Sequence, residues 1–266
     1  MYWDTHLHCY FSTDSQAKPE DMVEAAIDKG LKGICFTDHM EHEYASGKPF
    51  TFDPDTYFNE LRILQEKYQN ILPICIGVEL GIQPHLIESY EQLVTNYAFD
   101  QVIASSHMVH GRDPYYPVFF ENRTEEEAHR EYFLATLKNL ELFDDFDIYG
   151  HIDYVVRYGP NQNKNFRYEN YQDILDQIFR VLIEKGKGIE INMAGYKYGL
   201  NQPNPSIAMI KRYRELGGEI IVIGSDAHEP EHIAYEFSRL KEILQYTGFT
   251  HYTVFQKRQP VFYKVP

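Results

Sequence analysis

Short runs of apolar and β-branched residues alternate with longer amphipathic segments along almost the whole 266-residue chain. The runs lack the alternation of apolar and polar residues that is typical of a strand with one face in solvent. We interpret them as buried strands, and they span residues 2–8, 33–39, 74–80, 101–107, 147–151, 188–192 and 219–225. Because segments of helical spacing separate them, the pattern predicts an α/β fold with a buried parallel sheet.

Seven such β–α units in about 250 residues favour a closed or nearly closed barrel over an open doubly wound sheet. The glycine loops that cradle phosphates in open nucleotide-binding sheets are missing: neither G-x-G-x-x-G nor G-x-x-x-x-G-K-[ST] occurs. Residues 249–265 are β-prone and are expected to cover one end of the barrel. We therefore expect residues 1–266 to form a single domain with a distorted (β/α)7 barrel, similar to a TIM barrel.

Helix start signals agree with this division. Asp53-Pro54 and Asn204-Pro205 each place a capping side chain before a proline of a first helical turn. Thr124 and Glu127 have the spacing of a capping box. Helices are accordingly expected to begin at these three places.

Composition excludes several classes of function. The chain has 25 Lys and Arg against 40 Asp and Glu, a formal net charge of −15, which argues against a nucleic-acid binder or a polybasic membrane-surface protein. No apolar stretch approaches the roughly 20 residues that cross a bilayer. Cys9, Cys35 and Cys75 are odd in number and lie in apolar runs, so we expect buried free thiols and a cytoplasmic protein.

Ionisable side chains stand at the C-terminal ends of the predicted strands, which is the end where α/β barrels build their active sites. A single strand-end histidine is more often structural, but the joint pattern is improbable by chance. The candidates, together with Asp14 in the first loop, are His6, His8, His39, Glu79, His107, His151, Asp226 and His228. Burying so many such groups without a metal would leave unpaired charges, whereas imidazoles and carboxylates suit zinc, iron or manganese.

The number of candidate ligands exceeds what one ion needs. One catalytic divalent ion takes about three protein ligands, so nine candidates serve two or three ions. Glu79 is the natural bridge, because a carboxylate has two oxygens. Three dications against three ligand carboxylates would leave an excess of about three positive charges, which favours an anionic substrate, phosphate above all.

In order along the chain, these motifs resemble those of the PHP (polymerase and histidinol phosphatase) family. The residues that carry the resemblance are His6-x-His8, Asp14, Thr37-Asp38-His39, Gly77-Val78-Glu79, Ser106-His107, Gly150-His151 and Ser225-Asp226-Ala227-His228. The context Phe36-Thr37-Asp38-His39 is similar to the stand-alone histidinol-phosphatase branch. The resemblance implies a distorted (β/α)7 barrel with three divalent metal ions. The implied reaction hydrolyses L-histidinol phosphate to L-histidinol and phosphate, in histidine biosynthesis, by attack of a metal-bridging hydroxide.

The resemblance also implies a distribution of the nine ligands. The first ion would bind His6, His8, Glu79 and Asp226; the second would bind Glu79, His107 and His151; the third would bind Asp14, His39 and His228.

Further residues are expected to contact the substrate. His42 and Asp226 are the predicted catalytic residues, and His42 resembles a family histidine that orients the phosphate or protonates the leaving group; the alternative is a solvated loop histidine. Arg157 and Lys197 are predicted to hold phosphate oxygens; the alternative for either is a surface cation. Members of the family branch tend to have arginine at the position of Lys197. Lysine differs from the family pattern here, because it offers a point charge instead of a guanidinium that can form two parallel hydrogen bonds.

The loop around Asp113 is expected to bind the other end of the substrate. Its residues Tyr115 and Tyr116 are predicted to wall the pocket around a cationic imidazolyl-amine, although turn-forming loops have similar sequences. Asn192 is expected to orient a ligand or the phosphate. Four further histidines are expected on helix surfaces or in the tail: His85, His129, His232 and His251.

Other functions are weighed against this hypothesis. A nucleic-acid phosphodiesterase is disfavoured by the charge of −15. Amidohydrolase-like cleavage of a C–N bond usually needs a metal-bridging lysine at a middle strand, where this chain has Glu79 and His107. A non-catalytic metal-binding module is disfavoured because no ligand is visibly missing. The expected partner is a small phosphate ester, neither nucleic acid nor membrane, and the chain is expected to be a monomer or a small homo-oligomer.

Overall fold

A computed structural model of the protein describes residues 1–44, 47 and 49–266. Its strands are β1 (Trp3–Leu7), β2 (Gly33–Phe36), β3 (His39–Met40), β4 (Ile74–Gly81), β5 (Gln101–Ser105), β6 (Ile148–Tyr149), β7 (Gly188–Asn192), β8 (Ile221–Gly224), β9 (His251–Gln256) and β10 (Gln259–Lys264). Its α-helices are α1 (Pro19–Asp28), α2 (Pro54–Tyr68), α3 (Ile87–Asn96), α4 (Glu125–Leu142), α5 (Val155–Tyr158), α6 (Gln172–Glu184), α7 (Ala194–Lys197), α8 (Ile207–Glu215) and α9 (Leu240–Thr247). Short 3-10 helices occupy Pro84–Leu86, Pro117–Phe120, Tyr168–Asn170, Pro230–His232 and Phe237–Arg239.

The strands form a parallel sheet that is nearly closed into a barrel. Their order is β1-β2-β4-β5-β6-β7-β8, and β3 pairs with β4 beyond the end of β2. The two edges meet near their C-terminal ends, where the Asp226 amide donates to the His6 carbonyl at 2.8 Å and the His8 amide donates to the Ala227 carbonyl at 2.8 Å. The predicted distorted (β/α)7 barrel is therefore confirmed.

Two of the three helix start signals are confirmed. The Asp53 carboxylate accepts from the Thr56 amide at 2.9 Å at the start of α2, and Thr124 and Glu127 form a capping box on α4. The prediction at Asn204-Pro205 is wrong, because α8 begins at Ile207 and Ser206 is its N-cap. Asn204 instead is fully buried in the candidate site described below.

The C-terminal hairpin of β9 and β10 covers the N-terminal end of the barrel, as the β-prone tail predicted. Phe255 packs against Ile103, Ile148 and Val222, and the Arg258 guanidinium donates to the Asp147 carboxylate at 2.6 Å. The opposite, C-terminal end is thereby left for the cavity. Within the described ranges, no helix is both long and apolar enough to cross a membrane.

His129 departs from the expectation of a surface position. It lies on α4 with 2% of its surface exposed, among the rings of Phe120, Phe166 and Tyr171. Burial lowers the pKa of its imidazole to about 4, because the charged form cannot be solvated there. His85 and His251 are exposed, as predicted.

His129 should make the fold sensitive to acid. Its pKa is about 4 in the folded state and 6.5 as a free side chain, so its contribution is complete above pH 6.5 and is lost as the pH falls towards 4. The pKa difference corresponds to about 3 kcal/mol of unfolding free energy. We expect His129→Phe to flatten the pH dependence of urea unfolding by about this amount, whereas His251→Phe in the exposed tail should leave it unchanged. If the unfolding free energy of His129→Phe fell as steeply with decreasing pH as that of the wild-type chain, this assignment would be wrong.

Candidate metal centre

The sequence-predicted ligands converge at the C-terminal end of the barrel because each follows or ends a parallel strand. His6 lies on β1, His39 on β3 and Glu79 on β4; the remaining ligands lie in the loops that follow β1, β5, β6 and β8. Seven are buried, whereas Asp14 is exposed and His228 partly exposed at the cavity mouth. The fold therefore brings all nine into one cluster.

Glu79 is the centre of this cluster. One of its oxygens, Oε2, lies 3.2 Å from His6 Nε2 and 3.0 Å from His39 Nδ1. The other, Oε1, lies 2.9 Å from His151 Nε2 and accepts a hydrogen bond from the Ser105 hydroxyl at 2.6 Å. The two oxygens thus face different groups of histidines, which is the arrangement of a bridging carboxylate.

The other ligands form groups around Glu79. Three sets place their ligand atoms within 4.8 Å of one another: His6, His8 and Glu79; His39, Glu79 and His107; and His8, His39 and His228. Asp226 Oδ1 lies 3.4 Å from His8 Nε2 and 3.8 Å from His6 Nε2. At the mouth, Asp14 Oδ2 lies 3.3 Å from His228 Nε2 and 3.7 Å from His39 Nε2.

The donor set fits metal ions better than a hydrogen-bonded network. Three imidazole nitrogens of the cluster, His39 Nδ1, His151 Nδ1 and His228 Nε2, are buried without a hydrogen-bond partner among the described residues. The Nε2 atoms of His6 and His8 face each other at 3.0 Å, and those of His107 and His151 at 3.3 Å. Converging imidazole nitrogens of this kind are what divalent metals bind.

Outer contacts fix the orientation of several imidazoles. His8 Nδ1 lies 3.0 Å from the Ser12 hydroxyl, which itself donates to the Asp38 carboxylate at 2.7 Å. His107 Nδ1 lies 2.7 Å from Glu41 Oε1. With Nδ1–H donated outwards, the Nε2 lone pair of each ring points into the cluster, as it does in metal-binding histidines.

The charges in the cluster compensate one another. Burial would lower the pKa of His6, but the carboxylates of Glu190, Glu79 and Asp226 raise it well above its usual value. Burial would likewise raise the pKa of Glu79, but the surrounding imidazoles hold it well below its ordinary range. The carboxylates of the cluster therefore favour positive charge at His6, and bound metal ions would supply such charge.

A cavity of about 520 Å³ opens above the cluster. Its floor includes His39, His107, His151 and Asp226. Its walls are largely aromatic and include Tyr44, Phe50, Tyr115, Tyr116, Tyr154, Tyr158 and Tyr198. The cavity is of the size that a small organic molecule fills.

Arg157 lines this cavity and is buried between the cluster and the aromatic wall. Its Nη1 donates to Asp226 Oδ2 at 3.2 Å, its Nη2 to Asn192 Oδ1 at 3.0 Å and its Nε to Asn204 Oδ1 at 2.8 Å. The ring of Tyr198 lies 4.8 Å from the guanidinium carbon. These contacts hold a fixed positive charge beside the floor.

Of the other four residues predicted to contact the substrate, two line the cavity and two do not. Tyr115 and Tyr116 line the cavity, but His42 and Lys197 are not part of the wall that the described residues form. The His42 ring lies 5.6 Å from the ring of Tyr90, and the Lys197 ammonium lies 5.6 Å from the ring of Tyr198.

Several buried residues of the site were missed in the sequence, among them Glu41, Glu190 and Asn204. Glu41 stands two residues after His39, and Glu190 stands two residues before Asn192, so each shares a strand face with a residue already singled out. A carboxylate inside the apolar run of β7 was the available signal for Glu190. Asn204 carried no such signal, because Asn-Pro is also a common helix start.

Comparison with known proteins agrees with this geometry. The sequence model of the PHP domain matches residues 4–194. A histidinol-phosphatase of Lactococcus lactis subsp. lactis is 33% identical over 253 residues, 95% of this chain and 93% of that protein. A probable histidinol-phosphatase of Clostridium acetobutylicum is 33% identical and covers 89% of this chain and 90% of that protein.

A solved structure extends the likeness to three dimensions. The crystal structure of histidinol phosphate phosphatase from Lactococcus lactis subsp. lactis, complexed with zinc, L-histidinol and phosphate, superposes with a TM-score of 0.91 at 31% identity and covers 98% of this chain and 100% of that chain. Fold and cluster define the class, an α/β barrel with a metal centre at the C-terminal ends of its strands. The chain belongs to the PHP domain family.

Proposed function

We propose that this chain is a histidinol-phosphatase, which hydrolyses L-histidinol phosphate to L-histidinol and phosphate with the help of divalent metal ions. The observation that carries the proposal is the cluster of nine candidate ligands centred on Glu79, at the floor of a cavity of about 520 Å³. The similarity to the Lactococcus enzyme, whose crystal structure holds zinc, L-histidinol and phosphate, supports it along nearly the whole chain.

The ligand distribution that we propose is the one that the family resemblance implies. His6, His8, Glu79 and Asp226 would hold one ion, and Glu79, His107 and His151 a second. Asp14, His39 and His228 would hold a third at the mouth of the cavity. The distances of 2.9–3.7 Å between the ligand atoms of His6 and Glu79, of His151 and Glu79, and of His39 and Asp14 support this division.

Bound divalent ions would lower the pKa of a coordinated water and neutralise charge that develops on phosphoryl oxygens. The chain supplies the complementary parts. Arg157 adds a fixed positive charge beside Asp226, and its three hydrogen bonds to Asp226, Asn192 and Asn204 orient it in advance. The outer carboxylates Glu41 and Glu190 offset part of the metal charge. Counting them and Arg157, three dications leave about two positive charges, which still favours a phosphate ester.

The aromatic wall suits the cationic end of the substrate. The hydroxyls of Tyr44 and Tyr154 both donate to the buried carboxylate of Asp113, and the Tyr115 amide donates to it at 2.7 Å. Because their protons are directed to Asp113, the two phenol oxygens keep lone pairs for an ammonium or imidazolium N–H. Tyr115 and Tyr116 extend this wall, and aromatic faces attract such cations.

Roles for His42 and Lys197 in substrate binding stay predictions. Both residues belong to segments next to the cavity, His42 after β3 and Lys197 at the end of α7 beside the cavity-lining Tyr198. We further propose that residues 1–266 act as one domain and that the protein works in the cytoplasm, which its three buried free thiols support.

Substrate preference tests the proposal. With metal-loaded protein we expect kcat/KM for L-histidinol phosphate to exceed that for p-nitrophenyl phosphate by about 10²-fold or more, because sites with placed polar groups discriminate by at least that much. Steady-state phosphate release measures both values. A preference of less than about threefold would overturn the assigned substrate.

Asp113→Asn provides the matched variant for this assay. It replaces one of the two carboxylate oxygens that accept from the phenols of Tyr44 and Tyr154 by an amide donor, and it touches none of the nine candidate ligands. We therefore expect a higher KM for L-histidinol phosphate and an unchanged kcat/KM for p-nitrophenyl phosphate. An equal loss on both substrates would show that the aromatic wall does not recognise the cationic end.

A further inference from the structure

Glu190 is a carboxylate that the proposed reaction does not use directly, yet it contacts a candidate metal ligand, His6, from outside the cluster. It stands on β7 and is completely buried. Its Oε1 lies 2.6 Å from His6 Nδ1, and its Oε2 accepts hydrogen bonds from the His151 amide at 3.1 Å and from Asn192 Nδ2 at 3.1 Å. All three contacts of this buried carboxylate are therefore made with residues of the metal centre, and none of them is made with Lys or Arg.

The neighbouring strand leaves room for this carboxylate. Gly224 ends β8, and a Cβ added there would lie 2.2 Å from Glu190 Oε1 and 2.4 Å from His6 Cβ. Any larger residue at this position would therefore displace the carboxylate or the imidazole. The absence of a side chain at Gly224 permits the contact between Glu190 and His6.

The contact decides which nitrogen of His6 faces the metal centre. A carboxylate accepts hydrogen bonds and cannot donate one, so Nδ1 of His6 must carry the proton that points to Glu190. The opposite nitrogen, Nε2, lies 3.2 Å from Glu79 Oε2 and 3.0 Å from His8 Nε2. In the neutral imidazole, Nε2 then offers its lone pair to the cluster.

Glu190 also reaches a second ligand of the same proposed ion. Asn192 Nδ2, which donates to Glu190 Oε2, also donates to Asp226 Oδ2 at 3.1 Å. Since Asn192 Oδ1 accepts from Arg157, the amide is held in one orientation. The carboxylate therefore acts on His6 directly and on Asp226 through Asn192.

We propose that Glu190 is a positioning residue for metal binding, which selects the Nδ1–H tautomer of His6 and aligns His6 with Asp226 around one ion. This role rests on the proposed function only through the assignment of His6 as a metal ligand. According to this proposal, the affinity for that ion depends on Glu190 although Glu190 is not one of its ligands.

Zinc affinity of the substrate-free protein tests the role. In Glu190→Gln the side-chain NH2 group must face either Nδ1 of His6 or the two donors at the other oxygen, the His151 amide and Asn192 Nδ2. Either orientation places one donor against another and disturbs the alignment of His6 with Asp226. We expect the zinc affinity of the His6-dependent binding step, measured by competition with a chromophoric chelator, to fall by about 10–100-fold. Asp147→Asn is the matched control: this carboxylate is also buried, but it accepts from Val102 and Arg258 at the opposite end of the barrel.

A double-mutant cycle separates positioning from general damage to the fold. If Glu190 acts mainly through His6, Glu190→Gln should lower zinc affinity by less than about threefold in a His6→Ala background, where only the route through Asn192 to Asp226 remains. An equal loss in both backgrounds, or a loss below threefold in the wild-type background, would overturn the proposal. If His6→Ala itself left zinc binding unchanged, the ligand assignment and the role of Glu190 would both be wrong.

A measurement on the unaltered protein does not depend on the variants folding. Nitrogen-15 NMR of the zinc-loaded protein should show His6 with a protonated Nδ1 and an unprotonated Nε2; the opposite tautomer would overturn the proposal. Both experiments omit substrate. Zinc-binding protein that fails to hydrolyse L-histidinol phosphate would refute the proposed function and leave the result for Glu190 standing.

Discussion

Glu79→Gln should lower kcat for L-histidinol phosphate by about 10³-fold or more. Both oxygens of Glu79 face imidazoles, at 3.2 Å for His6 and 2.9 Å for His151, so an amide would place a donor where a ligand oxygen is required. Metal ions contribute several kcal/mol of charge stabilisation to the transition state, and each 1.36 kcal/mol corresponds to a factor of ten. Phosphate release under saturating substrate and metal measures the effect.

Glu43→Gln controls for the loss of one negative charge near the cavity. Glu43 is an exposed carboxylate 2.9 Å from His85, and we expect its variant to retain wild-type kcat. The zinc content of Glu79→Gln should fall together with kcat. If kcat fell less than tenfold, or if full zinc content accompanied full activity, Glu79 would not be the bridging ligand.

Removal of metal should lower the stability of the fold by several kcal/mol. Each ion that binds only the folded chain adds about 2.7 kcal/mol at a free concentration 100-fold above its dissociation constant, and more than one ion is expected here. Ion pairs such as that between His6 and Glu79 compensate the cluster without metal, so the barrel should remain folded but unfold at lower urea concentration. Urea unfolding with a chelator, and again with added zinc or manganese, measures the difference.

The same titration with Glu79→Gln tells specific binding from general salt effects. The variant should gain much less stability from added zinc than the wild-type chain, because a ligand shared by two of the proposed ions is lost. Identical unfolding midpoints with and without metal in the wild-type chain would contradict a metal centre that is coupled to folding.

The architecture and most of the ligand cluster were predictable from the sequence. Buried strands without polar alternation predicted the parallel barrel, and the C-terminal ends of parallel strands meet at one rim, so His6, Glu79 and His151 had to approach one another. The capping box of Thr124 and Glu127 was readable because its contacts are local. The same local logic failed at Asn204, whose partners Asp153 and Arg157 are distant in the chain.

The barrel, the cluster of candidate ligands at the strand ends and the family could all be inferred from the sequence alone, because they depend on periodicity and on the order of motifs. The contacts in the folded chain were needed to show which nitrogen of His6 and of His107 faces the centre, and that Glu190 and Glu41 contact the opposite nitrogens. It also decided that Tyr44 and Tyr154 share Asp113. These contacts join side chains from different strands and loops, and their geometry is set by how the sheet closes and which glycines leave space, which no local pattern encodes.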